Sequence, residues 1–209
     1  MASLVMGLTL VGSPGWSLAQ QDAPARTRFS LLENDEAWQL LPRENPPLPS
    51  WARALMRPLP RTTAAMLELD YLHRVNNSLG PILAGRLRWA AADAMDCDYA
   101  RRYAEADLRR SGLGDGDLKQ LAGDLTDLSE PDRAAVAFAG QLTRAGHEVA
   151  DNQVAELLAW FGPEKVVAIV HTVACANFQN RIALALGVEV ESGGPLPPIE
   201  LRLDAKKRL

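Results

Sequence analysis

The sequence predicts an all-α protein: a helical bundle with a proline-rich N-terminal arm and an extended C-terminal tail. Three observations carry this. Alanine and leucine are abundant while aromatic residues make up only 6% of the chain, a balance that favours helix over sheet. Apolar residues recur at helical spacing between residues 62 and 186, with no strong sheet pattern. Helix starts and stops punctuate the same stretch, with proline or a capping side chain at the starts and glycine at the ends.

The 209 residues suit one domain with ample chain for a core. A net charge of −4 gives no reason to expect nucleic acid as a partner. At the N-terminus, Leu4 to Val11 is a short apolar run and Ser17-Leu18-Ala19 fits a cleavage site before Gln20. Residues 1–19 therefore resemble a weak export signal, periplasmic or secreted, although no Lys or Arg precedes the run and Gly12-Ser13-Pro14-Gly15 breaks it early. The alternative is a cytoplasmic protein with a disordered N-terminus or a misplaced start codon. No segment reads as long enough to span a membrane.

Residues 20–60 form the arm. Its prolines, among them Pro46, Pro47, Pro49, Pro58 and Pro60, limit it to short helical pieces. Trp38, Leu40, Leu41 and Trp51 are too apolar for a free linker, so the arm is expected to lie across the domain or a neighbouring subunit.

The helical domain spans residues 61–187. A first helix runs from Thr62 to Asn76, with Ala65, Met66, Leu69, Leu72 and His73 on one face. A second opens at Pro81 and runs to about Ala94, with Ile82, Leu83, Leu87, Ala90, Ala91 and Ala94 inward. A tight break follows at Met95-Asp96-Cys97-Asp98. Asp98 is read as the cap of a third helix that ends at Ser111-Gly112. Asp117 is read as the cap of another, with Leu118, Leu121, Leu125 and Leu128 inward, and Ser129-Glu130-Pro131-Asp132 starts the next. Asp151 then caps a segment with Val154, Leu157, Leu158 and Phe161 inward. Gly162 stops it, and Pro163 opens the last helix, to Leu186. That helix is apolar on more than one side, as at a subunit interface. In the tail, residues 188–209, Ile199, Leu201 and Leu203 alternate. This fits either a docked extended segment or a mobile end.

Two cysteines, Cys97 and Cys175, are too few for a disulfide framework. His73, His147 and His171 are scattered, with no metal-ligand spacing and no Cys-x-x-Cys, so the sequence asks for no metal and no cofactor.

Three stretches together resemble the carboxymuconolactone decarboxylase and alkylhydroperoxidase D-like family. They are Leu79 to Gly112, Leu128 to Ala139 followed by Leu142-Thr143, and Val166 to Gly187 with Asn177-Phe178-Gln179-Asn180-Arg181. The resemblance implies an all-α homo-oligomer, trimer or hexamer, and peroxidase-type oxidoreductase activity. In the family's peroxidase branch a glutamate, a Cys-x-x-Cys and a histidine four residues later carry the chemistry. The second cysteine attacks peroxide, the first resolves the sulfenic acid, and histidine and glutamate relay the proton. Carried onto this chain, the first cysteine is Cys97. The second position is Ala100, the histidine position Ala104, and the glutamate position falls near Gly85.

Cys97 is thus the one candidate catalytic residue. A helix start favours thiolate, Asp96 and Asp98 disfavour it, and Arg101 and Arg102 can offset them. The alternative is a structural cysteine. Candidate pocket residues are Tyr99 and Tyr103 beside the break, His73, the i,i+4 pair His171 and Cys175, and Arg181, which can bind a carboxylate or phosphate. Each also has a plain packing role. Glu105 and Asp107 can stand in for a lost base, or form a solvated helix face. Three functions follow: a peroxidase using Cys97 with an external thiol reductant, a non-catalytic helical oligomer, or a cofactor-independent decarboxylase or lactone-handling enzyme with a small-molecule substrate.

Overall fold

The computed structural model describes residues 31–39 and 47–200. Residues 1–19, for which the sequence offers an export signal, Leu40 and Leu41 of the arm, and Leu201 and Leu203 of the tail lie outside the described residues. Among the described residues there are eight α-helices, one 3₁₀ turn and no strand. They are α1 (Asn34–Gln39), α2 (Ser50–Met56), α3 (Pro60–Arg74), α4 (Pro81–Ala94), α5 (Asp98–Arg110), α6 (Asp115–Leu121), α7 (Glu130–Ala145) and α8 (Asp151–Leu186).

The α4–α5 hairpin has the most extensive packing, and α4, α7 and α8 pack against one another. The buried side chains form two clusters. One, with Leu87, Leu108, Phe138, Leu157, Ile169 and Val173, fills the space between α4, α5, α7 and α8. The other joins the arm, α3, the break and the end of α8, through Trp38, Leu48, Trp51, Met56, Leu67, Cys97 and Tyr99. Trp38 and Trp51 therefore anchor the arm on this same chain.

Four local readings change. The buried face of α3 is Ala64, Met66, Leu67, Asp70, His73 and Arg74, while Ala65 and Leu72 are exposed. Buried ion pairing draws Asp70 and Arg74 inward and rotates the helix away from its apolar stripe. On α4, Ile82 is exposed and Ala84, Gly85 and Trp89 are buried instead. α6 stops at Leu121, so Leu125, in the left-handed region at φ 61°, and Leu128 belong to the loop. The cap positions also shift. Cys97, Gly114 and Ala150 occupy them, and Asp98, Asp117 and Asp151 lie inside the first turns. Asp117 still serves its helix end by accepting the Gly114 N–H at 2.8 Å.

α8 kinks at Gly162, whose φ of 73° interrupts an otherwise continuous helix. By length and composition α8 is apolar enough to cross a membrane, with a mean hydropathy of 1.3 over its best stretch, contrary to the sequence expectation. Its two halves read as separate short helices in sequence because Gly162-Pro163 divides them. Inside the fold it packs on α4 and α7. Its Asn177 side chain accepts the Thr143 hydroxyl at 3.0 Å, and its Thr172 hydroxyl accepts from Asn77 Nδ2 at 3.1 Å. Val167, Val170, Phe178 and Leu184 are exposed on the opposite side of this chain, the side that the sequence assigns to a subunit interface.

Candidate functional site

The break between α4 and α5 is built by backbone. Asp96 adopts φ 53°, and the Cys97 N–H turns back to the Ala92 carbonyl at 2.9 Å. Cys97 then takes the cap position of α5, with a side chain 1% exposed. Its sulfur faces the Asn180 carbonyl of α8 at 3.9 Å. Burial pushes the thiol above its ordinary pKa, and Asp98 and Asp96 add to this. The Ala100 backbone amide and Arg101 oppose it without prevailing. The thiolate-favouring helix start is thus outweighed by desolvation. Asp98 binds Arg102 at 2.9 Å and Arg101 at 3.2 Å, so those arginines are partly spoken for.

Next to the break lies a cavity of about 40 Å³. On its wall are Tyr99, Ala100 and Tyr103 of α5, Met66 and Asp70 of α3, and Asn180 of α8. Trp51, Arg88, Gln179 and Ile182 complete much of the rest. Of the family's motif positions, only Ala100 faces this space. Ala104 is fully buried in the neighbouring cluster. At Gly85, a Cβ would meet Leu108 Cδ2 at 2.7 Å. The positions that the resemblance assigns to the relay's histidine and glutamate are thus closed by apolar packing.

On the cavity wall Asn180 Nδ2 is buried without a hydrogen-bond partner, and the buried Tyr99 hydroxyl has the Tyr103 hydroxyl beside it. Burial, with Tyr103 and Glu191 nearby, raises the Tyr99 phenol well above its usual range, so it stays a neutral hydroxyl. Tyr103 stacks obliquely on Tyr99 with ring centres 4.8 Å apart. It donates to Glu191 Oε2 at 2.7 Å, and burial and Glu191 raise its phenol too. The other Glu191 oxygen accepts the Ser50 N–H at 2.6 Å, so the tail ties the start of α2 to α5.

Near the tyrosines sits a charge cluster around Asp107, a residue for which the sequence offered either a stand-in base or a solvated helix face. Asp107 is 8% exposed. It accepts two bonds from Arg74, at 2.7 and 2.9 Å, and one each from Arg88 at 2.8 Å and Arg110 at 2.7 Å. Arg74 also reaches Asp70 at 3.0 Å and the Leu196 carbonyl at 2.9 Å. Burial alone would raise the Asp107 carboxyl, but Arg74 and Arg88 hold it well below the usual carboxylate range. A carboxylate clamped this way is a poor base. Glu105 accepts the Trp89 indole N–H at 3.3 Å.

The remaining candidates separate from the cavity. Arg181 is exposed, beside a shallow apolar surface with Phe178 and Leu186. His171 and Cys175 do pair, with Nε2 and Sγ 3.7 Å apart. They gain a third neighbour the sequence order hid: the His73 ring lies edge-on to His171, centres 5.0 Å apart. Burial, His171 and Arg88 lower the His73 pKa.

The fold is similar to that of several solved proteins. The debrominase Bmp8, as a cysteine-to-alanine variant in complex with 2,3,4-tribromopyrrole, superposes with a TM-score of 0.67 at 18% identity, covering 80% of this chain and 93% of its own. A peroxidase-related protein with an alkylhydroperoxidase AhpD core, from Ralstonia eutropha, gives 0.63 at 20% identity over 79% and 93%. The chain has the alkylhydroperoxidase D-like fold. A putative antioxidant defence protein AhpD from Agrobacterium tumefaciens shares this fold at 0.57 and 19% identity, over 63% of this chain and 91% of that one. No protein-family model matches the chain, and no curated protein sequence matches it. The alkylhydroperoxidase D-like fold accounts for the all-α hairpin at the break.

Proposed function

We propose that this protein binds a small oxygen-bearing molecule in the cavity at the α4–α5 break and does not run a two-cysteine peroxide cycle. The observation that supports this best is Asn180 Nδ2, a buried polar atom on the cavity wall with no hydrogen-bond partner. Leaving such a group unpaired costs about 1–3 kcal/mol, which a carbonyl, carboxylate or hydroperoxide oxygen would recover. About 40 Å³ has room for roughly three water centres, so the polar head of a ligand enters while its apolar part meets Trp51, Met66 and Ile182. A ring the size of the tribromopyrrole bound by the debrominase needs side chains to move. The decarboxylase or lactone-handling reading belongs here, with no cofactor. Native mass spectrometry across short carboxylic acids, lactones and hydroperoxides tests it. A bound adduct is expected, weakened about tenfold or more by Asn180→Ala, as the loss of one such bond implies. No adduct across the panel would sink the reading.

A second reading keeps Cys97 as a lone peroxidatic thiol turned over by an external reductant. Its support is the contact between the thiol and Asn180, a residue of the cavity wall. A reductant-coupled peroxide assay decides: equal rates for wild type and Cys97→Ser are expected from the thiol's burial, and a rate abolished by Cys97→Ser would establish this reading instead.

In either case the protein works as a homo-oligomer, trimer or hexamer as the resemblance implies. The support is the exposed apolar face of α8, where Val167 is 69% and Phe178 50% exposed. Light scattering on Val167→Asp/Phe178→Asp is expected to give a smaller species than wild type; a monomeric wild type would contradict it.

A further inference from the structure

We propose that His73, His171 and Cys175 form a binding site for a zinc-class divalent cation, separate from the cavity and independent of its reading. One ligand atom from each side chain lies within 4.8 Å of the other two. The His171 Nε2 to Cys175 Sγ distance is 3.7 Å. A tetrahedral zinc with bonds of about 2.0–2.1 Å to nitrogen and about 2.3 Å to sulfur sets its ligand atoms roughly 3.3–3.6 Å apart. The histidine–cysteine pair is therefore nearly at bonding separation already. The wider contacts close by rotation of His171, which is exposed, and Cys175, which is half-buried, toward the buried His73.

The local structure favours this use. His171 and Cys175 are one turn apart on the second half of α8 and share its face. His73 comes from the last turn of α3, so the site bridges two elements held in place by other contacts. Two imidazoles and a thiolate are the donors a borderline-soft divalent ion selects over calcium or magnesium, which demand oxygen. Three protein ligands leave a fourth position open, the pattern of a site where water or a substrate atom binds the metal. Binding releases the Cys175 proton to solvent and leaves both imidazoles neutral, with no change of oxidation state.

The test is a titration of the metal-stripped full chain with Co²⁺, then Zn²⁺. One Co²⁺ per chain is expected, with visible bands of a tetrahedral site and a near-ultraviolet thiolate-to-cobalt charge-transfer band. Zn²⁺ should displace it and raise Tm. Cys175→Ser should abolish the charge-transfer band, and His171→Gln should weaken Zn²⁺ binding by at least about tenfold, a margin of about 1.4 kcal/mol. Both changes lie on exposed or half-exposed positions, so folding is retained and checked by circular dichroism. Cys97→Ser should leave the band intact. Absence of the band in wild type, its survival in Cys175→Ser, its loss in Cys97→Ser, or unchanged zinc affinity in His171→Gln would each overturn the proposal.

Discussion

Replacing Asp107 by alanine is expected to destabilise the protein by about 3–5 kcal/mol, the usual effect of removing one partner from a buried ion cluster. The reason is what remains. The Arg74 side chain is 2% exposed and would keep only Asp70 and a carbonyl as partners, while Arg88 and Arg110 lose their shared acceptor. For a domain of this size, each kcal/mol lowers Tm by about 2–4 °C. Asp107→Asn should be intermediate, because the amide keeps one acceptor but not the charge. The same carboxylate gives a pH signature. Its pKa is lower folded than unfolded, so the unfolded state binds its proton first as pH falls. The stability it contributes is complete above about pH 5 and is lost progressively below about pH 4, the unfolded aspartate range. Urea unfolding at pH 7 and pH 3.5 checks this. Wild type should lose more stability between the two than Asp107→Asn, and parallel losses would show that Asp107 does not carry the acid sensitivity.

Rebuilding the family's redox relay should fail at two of its three missing positions. Ala104→His is expected to cost about 3 kcal/mol, since an imidazole would enter a fully buried site. Overpacking of that kind costs about 1–3 kcal/mol, and an unpaired buried polar group adds a similar amount. Gly85→Glu should be at least as damaging, because its first side-chain atom already collides with Leu108. Ala100→Cys faces the cavity and should be nearly neutral. Denaturant unfolding of the three single variants tests this ranking. Equal stability throughout would mean that the relay's space is still open.

Those expectations show how far the sequence carries. The α4 and α5 boundaries follow from Pro81 and from Ser111-Gly112, because these residues act on the few peptide units beside them. Cys97 at a helix start was equally plain. Its reactivity was not, since the helix end contributes locally whereas desolvation comes from α8 and the arm, which the spacing around Cys97 does not describe. Asp107 was misjudged for the same reason. On a helical wheel it is one more charge, and only the approach of α3 and α4 supplies Arg74 and Arg88. His73 joins His171 and Cys175 only when α3 docks on α8.

The sequence by itself therefore determined the all-α class, the hairpin with its cysteine-bearing break, and the presence of alanine at positions 100 and 104. All of these rest on local propensity or on residue identity. The tertiary structure alone decided that Cys97 is sealed, that Ala100 faces a cavity while Gly85 and Ala104 are packed shut, and that two histidines and a cysteine meet. Burial, electrostatic field and ligand geometry depend on distances between helices remote in sequence, and packing sets those distances.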